Sequence, residues 1–436
     1  MKDYVSWGHY PIVEQKVHKQ TSRIDPLPGN NNVTNLPYGQ GRSYGDCCLN
    51  DHGQIISTEY LDHFIHFDTE KGTLKCESGV TLAQILELIV PHNWFLPVTP
   101  GTRFVTVGGA IANDVHGKNH HLAGTFGCHV TRFELIRSDN SRLICSETEH
   151  SELYQATIGG LGLTGLISWA EIQLKPVNSA YIEQQSIKYS NLDEFLQLSA
   201  DSDKDWEYTV SWLDCFSSKA NRAKGIFFRA RHGEKSNEIS HKKQSNLVFP
   251  VYAPSFTLNR FTIKAFNALY YAKQIKKIKT NRVYYEPFFY PLDGIRDWNK
   301  LYGKQGFFQF QCVIPVNNVA ALNEILARIS NSGQGSFLSV LKLFGAISSP
   351  GMLSFPREGI TLALDFANKG NRTIKLLNDL ETIVANANGA IYPAKDALMH
   401  AQNYQQFYPD WNAFSSYIDP AFSSSFWRRV SGNQES

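Results

Sequence analysis

The chain has 436 residues, of which 42% are hydrophobic, 13% aromatic and 19% charged, a globular composition too long for one ordinary core, so two domains are expected. A net charge of +2, from 42 basic and 40 acidic side chains, gives no overall field for nucleic acid, and any basic surface must be local. Seven cysteines with no CxxC pair argue against a disulfide framework or a zinc site and fit reduced thiols in the cytosol. No basic-then-apolar leader is visible, and no apolar run is long enough to span a bilayer.

Residues 20–36 are polar and rich in Asn and Pro, and read as a loop. They lead into LPYGQGRSYGDCCLN (36–50), a turn-rich stretch of glycines and small residues with one acid. QIISTE, HFIHFD and TLKCESG follow as short strands. Thr81 is the N-cap expected for the helix LAQILELIV, whose Leu82, Ile85, Leu86 and Ile89 share one face before Pro91 ends it. Residues 94–130 are the densest in glycine and histidine. FELIRS and RLICSE read as strands, and in the apolar segment 156–174 Gly159, Gly160, Gly162 and Gly165 mark a turn. Three glycine-rich turns between strands suggest a domain that wraps backbone around a large ligand.

Beyond residue 180 aromatics become frequent, and YIEQQSIKY, EYTVSWLD and GIFFRARH read as strands among helical stretches. Residues 232–246 are polar and read as a mobile surface loop. A helix is expected over 257–279, with Phe261, Ala265, Leu269, Ala272 and Ile275 at helical spacing and lysines at its far end. Such a segment can lie on a membrane surface, or pack on the domain with a solvated basic end. FFQFQCVIP (307–315) and GITLALDF (359–366) alternate as strands, and the tail returns to helical texture.

GQGRSYGD (39–46) lacks the GKS or GKT of a Walker loop and does not open an amphipathic helix as a Rossmann fingerprint does. What remains is a loop of exposed backbone N–H groups suited to a pyrophosphate, or a plain structural turn. In PGTRFVTVGGAIANDVHGKNHH (100–121), Gly108 and Gly109 let backbone approach a flat ligand, and Ala110 and Ala112 leave it space. His116, Lys118, His120 and His121 bring cationic or proton-donating groups beside it. The HxxxHH spacing is a rival metal pattern, disfavoured because Gly117 interrupts any helix and no zincin-type acid is present.

Together with TIGGLGLTG, LKLFG (341–345) and YPAKD (392–396), these blocks resemble the FAD-binding oxidoreductases of the vanillyl-alcohol oxidase type, and among them the flavoprotein subunits of decaprenylphosphoryl-ribose 2′-epimerases. The likeness runs from about residue 36 to the C-terminus. It implies an α+β fold with a PCMH-type FAD-binding domain over 1–178, an antiparallel-sheet substrate domain over 179–389, and a segment 390–436 that completes the FAD domain. It implies FAD contacts at Gly39, Gly41, Arg42, Ser43, Tyr44, Gly45 and Asp46, and at Gly101, Thr106, Gly108, Gly109, Asn113, His116, Gly117, Ile167 and Tyr392. Relatives with GHS where this chain has Gly41-Arg42-Ser43 attach the flavin through that His. Arg42 cannot. His116 matches a second anchoring position of some relatives, but the epimerase-like members keep it without a link, so non-covalent FAD is expected.

By the same resemblance Lys395 is the first catalytic candidate, with Tyr44 and His116 beside it; an ordinary salt bridge to Asp396 or another acid is the alternative for Lys395. Lys118, Gln309, Gln311, Lys342 and Lys395 fall on the substrate side, the amides for sugar or phosphate oxygens and Lys342 for phosphate charge. Ala363 stands where some members carry a Cys, which leaves the pocket's shape open. The implied activity is oxidation of a sugar secondary hydroxyl, C2′ of a polyprenylphosphoryl-ribose, by hydride transfer to flavin N5. It would be half of an epimerisation that a separate NAD(P)H-dependent reductase completes. The alternatives are an alditol or aldonolactone oxidase and a catalytically silent flavin-binding protein. No metal and no nucleic acid are expected. A cytoplasmic protein is, with peripheral contact at the inner membrane.

Overall fold

The computed structural model describes residues 4–29, 33–217, 223–234, 247–254 and 257–432. Part of the polar segment expected to be a surface loop, 235–246, lies outside the described residues. Of the expected strands, HFIHFD, TLKCESG, FELIRS and RLICSE join Leu166–Gln173 in a five-stranded antiparallel sheet, in the spatial order Phe64–Asp68, Thr73–Glu77, Leu166–Gln173, Val130–Ile136, Arg142–Ser146. Against its core the helix Leu82–Ile89 buries Leu82, Ile85, Leu86 and Ile89. Thr81 caps that helix in a reciprocal capping box with Gln84, worth about 1 kcal/mol. A small parallel sheet sets Asn35–Tyr38 and Lys16–Lys19 on either side of Gln54–Ser57, which delivers the first glycine loop to the molecule's centre.

An eight-stranded antiparallel sheet follows, in the order Ile278–Tyr284, Tyr181–Tyr189, Gly225–His232, Tyr208–Leu213, Ser339–Phe344, Gly359–Ala367, Phe307–Ile314, Ala390–Ile391. The two-residue period sorts its side chains. Phe308, Phe310, Cys312, Leu362, Leu364 and Phe366 enter one core with Leu322, Ile325, Leu380 and Val384 of the helices Val319–Ser332 and Asn371–Asn386. Each such buried side chain stabilises by about 1.5–3 kcal/mol. The intervening residues Gln309, Gln311, Thr361 and Ala363 face the other way and floor a cavity. The architecture is α+β, as the resemblance implies. Among the described residues no helix is long and apolar enough to cross a membrane.

One element differs from its expectation. The helix expected over 257–279 spans Arg260–Ala272, and Ile278–Tyr284 is a strand on the edge of the large sheet. Gln274 causes the break, its Nε2 donating to the Ser186 carbonyl and to those of Lys276 and Lys277. The helix also presents an unexpected face inward. Asn267 is buried because its Nδ2 donates to Asp214 Oδ1 at 3.0 Å, while Phe261 and Leu269 are 82% and 72% exposed.

Candidate active site

Three parts of the chain close one cavity of about 1040 Å³, at the upper end of what drug-sized ligands occupy. Its floor is the large sheet, with Val340 and Lys342 beside Thr361, Ala363, Gln309 and Gln311. Its roof is the first loop, the 99–118 turn and the 157–167 turn; one wall comes from residues 257–301. Of the residues assigned to cofactor and substrate from sequence, all but two line this space.

Gly45 and Asp46 do not. Gly45 packs against the backbone of Asp396, where a Cβ has no room. Asp46 is buried and receives Arg429 Nε and Nη2 at 2.9 and 2.7 Å. Arg429 Nη2 also donates to Asp396 Oδ2 at 2.9 Å. Asp396 is therefore committed to Arg429, and the alternative pairing of Lys395 with Asp396 is not formed.

The backbone donors are also distributed unevenly. The amides of Gly108 and Gly109 are used within the protein, by Ser78 O at 2.8 Å and Thr106 Oγ1 at 3.1 Å. Those of Gly159, Gly160 and Leu161 are likewise paired. By contrast, no acceptor among the described residues meets the amides of Gly39, Gln40, Gly41, Arg42 and Ser43, which line the cavity. Position 41 needs a glycine, because its φ is +60° and Tyr38 Oη and Val5 O occupy the space of a Cβ. Among the described residues three buried side-chain atoms on the cavity wall also lack partners: Arg42 Nε, Ser78 Oγ and Asn113 Oδ1. The Arg42 guanidinium lies 4.1 Å from the Trp7 ring centroid. A nest of free amides beside an arginine suits a pyrophosphate.

The opposite end is built from lysines. Lys118 Nζ donates to the carbonyls of Phe288 and Phe289 at 3.0 and 2.8 Å, and burial lowers it to about 7. Lys342 Nζ lies 3.0 Å from His116 Nδ1 and donates to Gly117 O at 3.2 Å, and burial followed by repulsion from Lys118 and Lys395 lowers it to about 7. Lys395 Nζ stands 3.8 Å from the Tyr44 ring centroid, and burial lowers it to about 8 against the pull of Asp365.

His116 is not a cation here. Burial and Lys342 hold it well below its ordinary value, and burial brings His120 to about 4. A neutral imidazole has one donor and one acceptor. With Gln311 Nε2 donating to His116 Nε2 at 2.9 Å, the neutral ring carries its hydrogen on Nδ1, 3.0 Å from Lys342 Nζ. Both ring nitrogens are thereby engaged. His121 Nε2 meets the Trp206 carbonyl and does not reach the cavity.

Sequence reasoning missed Asp365. It is 1% exposed, pairs in register with Gln309, and accepts from Gln309 Nε2 at 2.5 Å and from Tyr302 Oη at 3.3 Å. Burial pushes it up to about 7. Gln309 also bonds Tyr44, whose phenol burial raises well above its ordinary value, so Tyr44 stays protonated at neutral pH. The one signal was an acid inside the apolar run GITLALDF.

Comparison with known proteins agrees with this geometry. Residues 18–146 match the FAD binding domain family. Decaprenylphosphoryl-β-D-ribose oxidase of Mycolicibacterium smegmatis is 34% identical over 409 residues, 90% of this chain and 88% of that protein. The chain belongs to this family. It is an FAD-dependent oxidoreductase, and the amides of 39–43, the arginine and the unpaired Ser78 Oγ and Asn113 Oδ1 fit that cofactor. Two further likenesses each cover about a third of the chain or less. Probable L-gulonolactone oxidase 4 of Arabidopsis thaliana is 30% identical over 34% of the chain and 29% of its own length. Human Delta(24)-sterol reductase is 33% identical over 27% of the chain and 22% of its own.

Proposed function

We propose that the protein oxidises the C2′ hydroxyl of a polyprenylphosphoryl-ribose to a keto sugar, the first half of an epimerisation that an NAD(P)H-dependent reductase completes. The observation that carries this reading is the lysine triad Lys118, Lys342 and Lys395 at one end of a cavity whose wall includes Leu258, Ile263, Phe266, Leu292 and Trp298. An anionic sugar phosphate with an apolar tail matches both ends. FAD, when bound, supplies the hydride acceptor. Lys118 and Lys342 hold the phosphate in their charged forms, and Gln311, oriented by His116, fixes a sugar oxygen. Neutral Lys395 takes the hydroxyl proton, and Asp365 offsets the resulting charge.

The cofactor is proposed to be dissociable, because Arg42 replaces the anchoring His and both nitrogens of His116 are engaged. The division 1–178, 179–389 and 390–436 is proposed on the same footing. It is supported by Tyr44 N donating to Ala394 O at 2.9 Å and by the Arg429–Asp46 pair, although Ala390–Ile391 itself pairs with the large sheet. The test is anaerobic mixing with farnesylphosphoryl-ribose while the flavin band is followed. Bleaching with keto-sugar formation is expected. Bleaching by alditols or aldonolactones alone makes the protein a polyol oxidase, and bleaching by none makes it a silent flavin binder.

A further inference from the structure

More than half of the large apolar side chains exposed among the described residues fall between residues 247 and 295. Phe261, Leu269 and Ile275 are 82%, 72% and 93% exposed, and Leu247 and Val251 are 68% and 64% exposed. On the helix Arg260–Ala272, a rotation of about 100° per residue aligns Phe261, Ala265, Leu269 and Ala272 in one stripe, with Lys264 on one flank and Lys273 on the other. That is the section of an interfacial helix: an apolar strip bordered by lysines.

The charge of this region is one-sided. Arg260, Lys264, Lys273, Lys276, Lys279 and Arg282 are exposed, while its acids Glu286 and Asp293 are 1% and 6% exposed. Among the described residues, only Lys277 of these basic groups pairs with an acid, Glu194 at 2.8 Å. A chain with a net charge of +2 thus concentrates its positive surface around its apolar surface. A second copy meeting this face through a two-fold axis would bring like charges together. An anionic leaflet would not.

The patch also reaches the cavity. Phe266 and Ile295 are 45% and 38% exposed and line the cavity as well, so the apolar patch and the cavity share two side chains. We propose that residues 247–254 and 257–296 dock the protein on an anionic bilayer, with the cavity mouth turned toward the lipid. The docking stands on the patch alone; delivery of a lipid-linked sugar through that mouth rests on the proposed substrate.

Co-sedimentation of the holoprotein with phosphatidylcholine vesicles, with and without phosphatidylglycerol, tests this. Binding is expected only with the anionic lipid and should weaken in high salt. Lys273→Gln with Lys276→Gln should lower partitioning about thirty-fold, since each basic side chain contributes about five-fold at an anionic surface. Phe261→Ser with Leu269→Ser should lower it by more than about ten-fold. Flavin content and turnover of a water-soluble short-prenyl substrate should not change in either variant, which separates this inference from the substrate assignment. Wild-type protein left in the supernatant, or variants that bind as well as wild type, would overturn it. So would a wild-type dimer on gel filtration that Leu269→Ser dissociates, which assigns the face to a second copy.

Discussion

Arg429→Met is the sharpest test of how the C-terminal segment supports the site. The guanidinium bridges Asp46 of the first loop to Asp396, the residue after Lys395. Methionine keeps most of the stem's bulk and removes the charge. Asp396 retains the amides of Leu398 and Met399 at 3.0 and 2.9 Å, whereas no other side chain donates to the Asp46 carboxylate among the described residues. Breaking a buried pair costs about 3–5 kcal/mol. At about 2.1 cal/mol/K of unfolding entropy per residue, a chain of 436 residues loses about 1 °C of Tm for each kcal/mol. Calorimetry of the holoprotein at pH 7 should therefore show a fall of about 3–5 °C. Burial already pushes the Asp46 carboxyl up against Arg429, and without the guanidinium only a backbone N–H still opposes it. Its folded pKa then rises further above the unfolded one, so the deficit is full at pH 7 and shrinks as pH falls toward 5. Adding Asp46→Asn should restore about half of the loss. A fall below about 1 °C at pH 7, or a deficit unchanged at pH 5, would refute the reasoning.

Lys395→Met should lower kcat by about 10²–10⁴ while flavin content stays at the wild-type level; a loss under ten-fold in stopped-flow reduction would remove Lys395 from the chemistry. Lys342→Met should raise KM for the phosphorylated sugar by about 10–150-fold, the value of one charged hydrogen bond. Equal loss of affinity for an unphosphorylated analogue would contradict its role. Because Lys118 and Lys342 sit at about 7, their charged forms fade above that pH, and KM should rise between pH 7 and 9 in steady-state assays. Asp365→Asn removes the charge that holds Lys395 up, so the pH at which kcat rises should move down by about one unit or more. An unmoved profile would make Asp365 a purely structural acid.

What was legible beforehand was what lies along one stretch of chain. The strands 307–315 and 359–366 announce themselves by alternation, and the helix after Thr81 by its cap and spacing. What was not legible depends on neighbours remote in sequence. Asp365 gains its meaning only from register, which sets it opposite Gln309. Arg429 acts across 383 positions on Asp46, and no local pattern in GQGRSYGD tells which of its residues face the ligand. The run KQIKKIK continues a helical period as well as it opens a strand; Gln274, bonded to the Ser186 carbonyl, decides for the strand.

The pairing of Phe307–Ile314 with Gly359–Ala367 has a further consequence. Odd-numbered positions such as Gln309 and Gln311 point one way, and Phe308 and Phe310 the other. A single inserted or deleted residue before Gln309 would turn the strand over, presenting phenyl rings to the sugar and carboxamides to the oily interior. Selectivity for the polar headgroup is thus written in the parity of one strand, and this stretch should tolerate many substitutions but almost no change in length.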